Sequence, residues 1–271
     1  MFGNMGYKTI RSTENALSSL NKTIENISNM NSVGYKKNQQ TFVEALNGEA
    51  SKHEDKDFSQ GPLRRTSEPY DLALEGPGFF EIELSNGQRA YTRSGRLRLT
   101  NEGELVTNEG YRVIPEVEQV GKPIIQITGN SDNKELGLNI KVSTPKLIVP
   151  AHLTPEILED GTVNGTDGST GEKVKLGKVN VVVFNNPNGL ETLGNSYYVS
   201  TKSSGSALDA DVGPGGSTHV KQGYLEFGNV NIATEVVNLT QSKNILSAHF
   251  KLFKILDKIY ENIHYTISKS V

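Results

Sequence analysis

The 271-residue sequence contains no cysteine and no tryptophan. The absence of cysteine excludes disulfides, thiolate zinc sites and a cysteine nucleophile. The charge is nearly balanced, with 28 Lys+Arg against 31 Asp+Glu, so the net charge of −3 gives no reason to expect a nucleic acid or an anionic membrane as a partner. No apolar run approaches the ~18–20 residues that a membrane span requires. The first residues also lack the basic and then apolar pattern of a secretory signal. Taken alone, these absences favour a cytoplasmic protein.

The sequence also lacks the patterns that indicate catalysis. Its five histidines are scattered and show no zinc-ligand spacing. There is no Gly-x-Ser-x-Gly turn, and the Gly-Pro-Gly at 76–78 precedes a strand, whereas a dinucleotide site needs a strand followed by a helix. We therefore expect no enzyme activity, no cofactor and no metal site.

Glycine and proline are nearly absent from both ends of the chain, over residues 7–33 and 229–271, but recur every few residues between them. This distribution predicts a mainly β middle domain with long α-helical N- and C-terminal segments. The predicted boundaries are 1–40 plus 229–271 for a helical assembly domain, 41–70 for an extended linker, and 71–228 for the β-rich domain. Within the β-rich domain, residues 116–177 are the unmatched segment, with strand-like runs only at 124–128 and 139–142.

Apolar residues in both terminal segments recur with the spacing of a coiled coil. In the N-terminal segment the spacing alternates between three and four residues, and in the C-terminal segment one row recurs every seven. We predict that these segments form a coiled coil and assemble with neighbouring subunits; the alternative is that each helix packs on the middle domain. The predicted assembly residues are Ile10, Leu17, Leu20, Ile24, Ile27, Ile232, Val236, Leu239, Leu246, Phe250, Phe253 and Tyr260.

The middle of the chain alternates β-prone runs with turn signals. A run over 79–84 is followed by Asn86-Gly87, which favours a type I′ turn, and then by a returning run over 89–93. The tetrapeptide Thr-Asn-Glu-Gly occurs twice, at 100–103 and 107–110. These features predict a β-meander.

Four stretches in order resemble the flagellar rod and hook family of bacterial axial proteins. They lie at 25–36, at 60–95 with Asp-Leu-Ala-Leu-Glu-Gly-Pro-Gly-Phe-Phe and Tyr-Thr-Arg-Ser-Gly, at 184–198, and at 222–239 with Gln-Gly-Tyr-Leu-Glu. Among family members the chain most resembles the basal-body rod proteins. The motif residues are Asn26, Asn29, Gly34, Tyr35, Asp71, Gly76, Gly78, Phe79, Phe80, Gln222, Gly223, Glu226, Asn229, Val230 and Asn231.

The resemblance implies a structural subunit that self-assembles helically into the drive shaft carrying torque from motor to hook. It also implies other rod and hook subunits and the flagellar type III export apparatus as partners. The expected location then changes to the basal body, spanning the cell envelope and periplasm after export without a signal peptide. The alternatives are a hook or hook-associated axial protein, a secreted coiled-coil adhesin or stalk protein, and an enzyme with helical dimerisation arms.

Overall fold

The computed structural model describes residues 2–44, 50–116 and 146–269. They divide into two compact units. Unit 1 comprises Met1–Gly61 and Gly228–Val271, and unit 2 comprises Pro62–Phe227.

Unit 1 consists of two helices and a β-hairpin. Its elements are α1 (Phe2–Ser28), β1 (Lys37–Glu44), β2 (Ala50–Asp57) and α2 (Ile232–Lys269). The start of α2 is capped by Asn231, whose Oδ1 accepts hydrogen bonds from the backbone N–H groups of Ala233 and Thr234 at 3.0 and 3.2 Å. The turn after α1 uses Gly34 at φ +68°, a left-handed conformation that glycine adopts without steric cost.

The helices α1 and α2 pack side by side in opposite directions. Ser19 Oγ lies 3.4 Å from Ser242 Oγ, and Ser12 Oγ lies 3.2 Å from His249 Nε2. Moving seven residues back along α1 therefore corresponds to moving seven residues forward along α2, which defines an antiparallel pair.

The predicted coiled coil is wrong. The protein is mainly β-sheet, with one N-terminal and one C-terminal helix in the described residues. Among the α1 and α2 side chains whose burial is described, the buried ones are small or polar, namely Ala16, Thr23, Asn26, Glu235 and Ser242. Leu17, Ile24 and Val236 of the predicted seam are exposed and each lies one position away from one of these buried residues, so they lie outside the contact.

The predicted extended linker at 41–70 is also corrected, because β1 and the antiparallel β2 form a hairpin across part of it. Strands also begin before residue 70, in unit 2. Of the unmatched segment 116–177, residues 117–145, with both strand-like runs, lie outside the described residues.

Unit 2 confirms the predicted β middle domain. In its described residues it also holds a short 3-10 helix, Pro187–Gly189. Its strands are β3 (Leu63–Arg65), β4 (Leu72–Glu75), β5 (Phe79–Glu83), β6 (Arg89–Thr92), β7 (Leu97–Leu99), β8 (Leu105–Thr107), β9 (Arg112–Val113), β10 (Leu153–Ile157), β11 (Thr162–Asp167), β12 (Lys173–Lys178), β13 (Val181–Val183), β14 (Glu191–Gly194), β15 (Tyr197–Val199), β16 (Leu208–Asp209), β17 (His219–Gln222) and β18 (Tyr224–Glu226).

The largest sheet of unit 2 has nine strands, with a path in the order β14-β15-β6-β5-β9-β8-β7. Strand β13 joins it by pairing with β5 and β16. The other sheets are β10-β11-β12 and the pairs β17-β4 and β18-β3. The predicted hairpin at Asn86-Gly87 is confirmed, since β5 and β6 pair antiparallel on either side of it.

The core of unit 2 is built from alternating strand residues. Leu72 and Leu74 of β4 and Phe80 and Ile82 of β5 are fully buried, together with Val220 of β17. Since neighbouring residues of a strand point to opposite faces, this spacing turns one face of each strand inward. The core therefore joins the first strands of unit 2 to its last ones.

Candidate assembly site

Asn26, near the end of α1, is the centre of a buried polar cluster in unit 1. Its Oδ1 accepts hydrogen bonds from the Tyr35 hydroxyl at 3.0 Å and the Asn38 backbone N–H at 2.9 Å. Its Nδ2 donates to the Asn38 carbonyl oxygen at 3.0 Å. The Asn26 side chain therefore fixes α1 against the start of β1 and is itself hydrogen-bonded on both sides of its amide.

Asn229, just before the start of α2, also fixes a helix against the hairpin through its side-chain amide. Its Oδ1 accepts from the Lys37 backbone N–H at 2.8 Å, and its Nδ2 donates to the Asp57 carbonyl oxygen at 2.8 Å and to Ser59 Oγ at 3.0 Å. One amide thus joins both ends of the hairpin to the segment before α2. We call the residues around Asn26 and Asn229 the amide hub.

Two lysines reinforce the amide hub. Lys36 is 1% exposed, and its Nζ donates to the Ser59 carbonyl oxygen at 2.6 Å. Lys37 Nζ lies 2.9 Å from Glu235 Oε1 in the first turn of α2. A buried carboxylate needs such a partner, because an unpaired charge is costly to remove from water. The ion pair therefore holds β1 against α2.

Lys56 of β2 lies over the Tyr35 ring, 5.7 Å from its centroid, and donates to Asn38 Oδ1 at 2.7 Å. Burial lowers the pKa of Lys56; Glu25 raises that pKa in part and Lys22 lowers it further. The hairpin thus places a partly desolvated cation against the end of α1.

In unit 2, the motif residues meet around a buried ion pair. Arg93 Nε donates to Glu226 Oε2 at 2.9 Å, and the side chains are 3% and 1% exposed. Arg93 Nη1 also donates to the carbonyl oxygens of Gly76 and Gly78, at 2.9 and 2.7 Å. Both glycines have positive φ, +112° and +135°, so the turn offers its carbonyls in a conformation that other residues rarely adopt. The Tyr-Thr-Arg, Gly-Pro-Gly and Tyr-Leu-Glu motifs therefore form one cluster.

The remaining motif residues also have structural positions. Asp71, Phe79 and Phe80 are buried. The side chain of Gln222 donates to the carbonyl oxygens of Pro69 and Pro155. Asn29, Gly34 and Gly223 lie in turns, Val230 is half-buried, and Asn231 caps α2.

The predicted assembly residues divide into two groups by exposure. The exposed group is Ile10, Leu17, Ile24, Ile232, Val236, Phe250 and Tyr260, each 41–55% exposed. Leu20, Ile27, Leu239, Leu246 and Phe253 are half-buried. We call the exposed group the apolar rows. The half-buried group lies closer to the contact between the helices.

Sequence reasoning missed the polar partners in the amide hub, namely Lys36, Lys37, Asn38, Ser59 and Glu235. It also missed the contacts of Ser12, Ser19, Ser242 and His249 between the helices. The seven-residue spacing of Ser12 and Ser19, and of Ser242 and His249, is the signal that could have found the second set.

In the described part of the chain, no three His, Asp or Glu residues are grouped so that they could hold a metal ion. The helices described here are also too polar to cross a membrane.

Comparison with known proteins identifies the family. Residues 73–165 match the family described as the flagellar hook protein FlgE/F/G D1 domain. The flagellar basal-body rod protein FlgG of Buchnera aphidicola subsp. Schizaphis graminum is 34% identical over 209 residues, which cover 77% of this chain and 69% of the relative. This chain belongs to the flagellar basal-body rod protein family. The FlgG rod protein of Bacillus subtilis aligns over 95% of this chain and 96% of its own length, at 28% identity. A rod protein named FlgF, from Caulobacter vibrioides, is 27% identical over 76% of this chain and 67% of its own length.

The basal-body rod protein is therefore a structural subunit of the flagellar rod, and its place is the flagellar basal body. Membership of the rod family implies assembly with other rod and hook subunits. The predicted family and the predicted structural role are both confirmed.

Proposed function

We propose that this rod protein self-assembles helically and that the resulting shaft transmits torque from motor to hook. Contacts between copies that repeat head to tail without closing produce a filament. In this proposal the role of the protein is purely mechanical. The shaft spans the cell envelope. The flagellar type III apparatus exports the chain without a signal peptide.

The observation that carries this proposal is the exposure of the apolar rows. Leu17 and Ile24 on α1 and Phe250 on α2 are 41%, 47% and 55% exposed. Leu17 and Ile24 lie on one face of α1 about two turns apart, and large apolar side chains that share an exposed face favour an interaction site. Covering each of these half-exposed side chains contributes about 1 kcal/mol, half of the usual value for full burial. Repeated along both helices, these contributions favour binding of neighbouring copies.

The test replaces a member of the apolar rows with lysine, as Leu17→Lys or Phe250→Lys. A charge at a buried contact is costly to desolvate, so we expect few or no complete rods in basal bodies isolated from cells that carry either variant. Electron microscopy of those basal bodies is the measurement. The matched control is Asn21→Lys, which adds the same charge at an exposed polar position of α1 and should leave rods intact.

Thermal unfolding of unit 2 separates an assembly defect from misfolding. Leu17 and Phe250 belong to unit 1, so the unfolding of unit 2 should be unchanged in both variants. Rods of normal number and length in the Leu17→Lys and Phe250→Lys strains would overturn the proposal.

A further inference from the structure

The contact between α1 and α2 contains two polar contacts that lie at different heights. Ser19 Oγ and Ser242 Oγ are 3.4 Å apart, and Ser12 Oγ and His249 Nε2 are 3.2 Å apart. On each helix the two contacting residues are seven positions apart, so the two contacts are separated by about 10.5 Å along the helix axis. We call these two contacts the polar rungs.

On α1 the rungs lie among small side chains. Ala16 is 8% exposed and Thr23 is 4% exposed, and both lie on the same face of α1 as Ser19. Small side chains present a shallow surface, so sliding one helix along the other changes their packing little. Hydrogen bonds depend strongly on distance and angle, so the same sliding breaks them. The rungs therefore distinguish one register of the helices from another better than the packing of the small side chains does.

We propose that the polar rungs set the register of α1 against α2. If α2 moves by seven residues in one direction, Ser19 meets His249, but Ser12 comes to lie opposite Leu256, which offers no hydrogen-bonding group. If it moves in the other direction, Ser12 meets Ser242, but Ser19 comes to lie opposite Glu235, whose carboxylate already contacts Lys37. The native register is the one that matches both rungs.

This register matters for assembly, and in that respect the inference rests on the proposed function. It determines how Leu17 and Ile24 on α1 are aligned along the exposed apolar residues of α2. A shifted pair would offer neighbouring copies a different combined surface. The serines and the histidine would thus act as positioning residues for the apolar rows.

Disulfide trapping in the purified full-length chain tests the register directly, because the natural sequence has no cysteine. Ala16 lies between the two rungs on α1, and Leu246 lies between them on α2. The pair Ala16→Cys with Leu246→Cys should therefore form a disulfide under mild oxidation. Ala16→Cys with Leu239→Cys is the out-of-register pair, because Leu239 is also half-buried but lies seven residues along α2.

We expect the in-register pair to close at least about tenfold faster, since Cα atoms more than about 7 Å apart cannot be bridged without backbone movement. Mobility on a denaturing gel without reductant measures closure. Equal rates, or no closure of the in-register pair, would overturn the inference.

Removing one partner from each rung provides the decisive comparison. In a Ser19→Ala, His249→Leu background, the rate ratio between the two cysteine pairs should fall towards one while helix content by circular dichroism is retained. The matched background Asn21→Ala, Asn244→Leu changes exposed residues of the same helices and should keep the ratio. An unchanged ratio without the rungs would assign the register to the amide hub and overturn the inference.

The two proposals fail separately. Phe250→Lys should block rods without changing the disulfide ratio, because Phe250 is not part of a rung. Normal rods with that variant, together with a preserved ratio, would overturn the proposed function alone.

Discussion

At the scale of single residues, we expect unit 2 to be sensitive to changes in the ion pair between Arg93 and Glu226. Both side chains are almost fully buried, and Arg93 is further tied to two backbone carbonyls. Burial raises the pKa of the neighbouring Tyr198 hydroxyl, Glu226 raises it further, and Arg93 opposes them. This site therefore depends on the balance between two opposite charges.

Glu226→Gln keeps the size of the side chain but removes its charge. The buried guanidinium of Arg93 then loses the charge of its partner Glu226, which costs roughly 3–5 kcal/mol. For a unit of this size we expect the melting temperature to fall by about 6–20 °C. Differential scanning calorimetry of the purified chain measures the shift.

The control for Glu226→Gln breaks an ion pair at the surface. Lys173 and Glu156 are 2.6 Å apart, but their side chains are 59% and 41% exposed. Exposed pairs contribute about 0–1 kcal/mol, so Lys173→Ala should leave the melting temperature almost unchanged. Equal shifts for Glu226→Gln and Lys173→Ala would show that burial of the Arg93 pair does not matter.

At the scale of elements, the two Thr-Asn-Glu-Gly turns offer a natural matched pair. In each turn the glycine N–H donates to the threonine carbonyl oxygen at 3.0 Å, and the glycine φ is +81° for Gly103 and +92° for Gly110. Their surroundings differ. A Cβ on Gly103 would lie 2.5 Å from the carbonyl oxygen of Val149, whereas a Cβ on Gly110 would meet nothing within 4 Å.

We expect Gly103→Ala to destabilise unit 2 more than Gly110→Ala. Both substitutions carry the strain of a left-handed conformation, about 1–2 kcal/mol. Only Gly103→Ala adds a clash with backbone, which costs about 1–3 kcal/mol more. Urea unfolding of the two variants compares them. A larger loss of stability for Gly110→Ala would contradict this assignment.

The two helices show which structural features can be predicted from sequence patterns and which cannot. The scarcity of Gly and Pro predicts both helices, and Asn86-Gly87 predicts a hairpin that the structure contains. On α1 the apolar spacing predicts the wrong contact face, because Ala16 and Thr23 let the backbones approach more closely than Leu17 and Ile24 would. The amide hub is also beyond such reasoning, since Asn229 and Lys37 are 192 positions apart and polar side chains leave no periodic signal.

At the scale of the whole molecule, the chain enters and leaves unit 2 at one place. The Phe227 backbone N–H donates to the Pro62 carbonyl oxygen at 3.0 Å, and β3 near the start of the unit pairs with β18 near its end. The ends of unit 2 are thus held together by its own strands, and its core consists of its own side chains. This arrangement is what an independently folding insertion between two helical segments requires.

We therefore expect the isolated fragment Pro62–Phe227 to fold on its own. Its melting temperature should lie within about 4 °C of the transition of unit 2 in the full chain, a difference of about 1–2 kcal/mol for a unit of this size. Calorimetry of both proteins is the measurement, and Glu226→Gln supplies an internal standard because Arg93 and Glu226 both lie within the fragment. The substitution should lower the two transitions by the same amount, since it breaks the same ion pair in each. If the fragment melts without cooperativity, or if Glu226→Gln shifts only the full chain, the stability of unit 2 depends on unit 1.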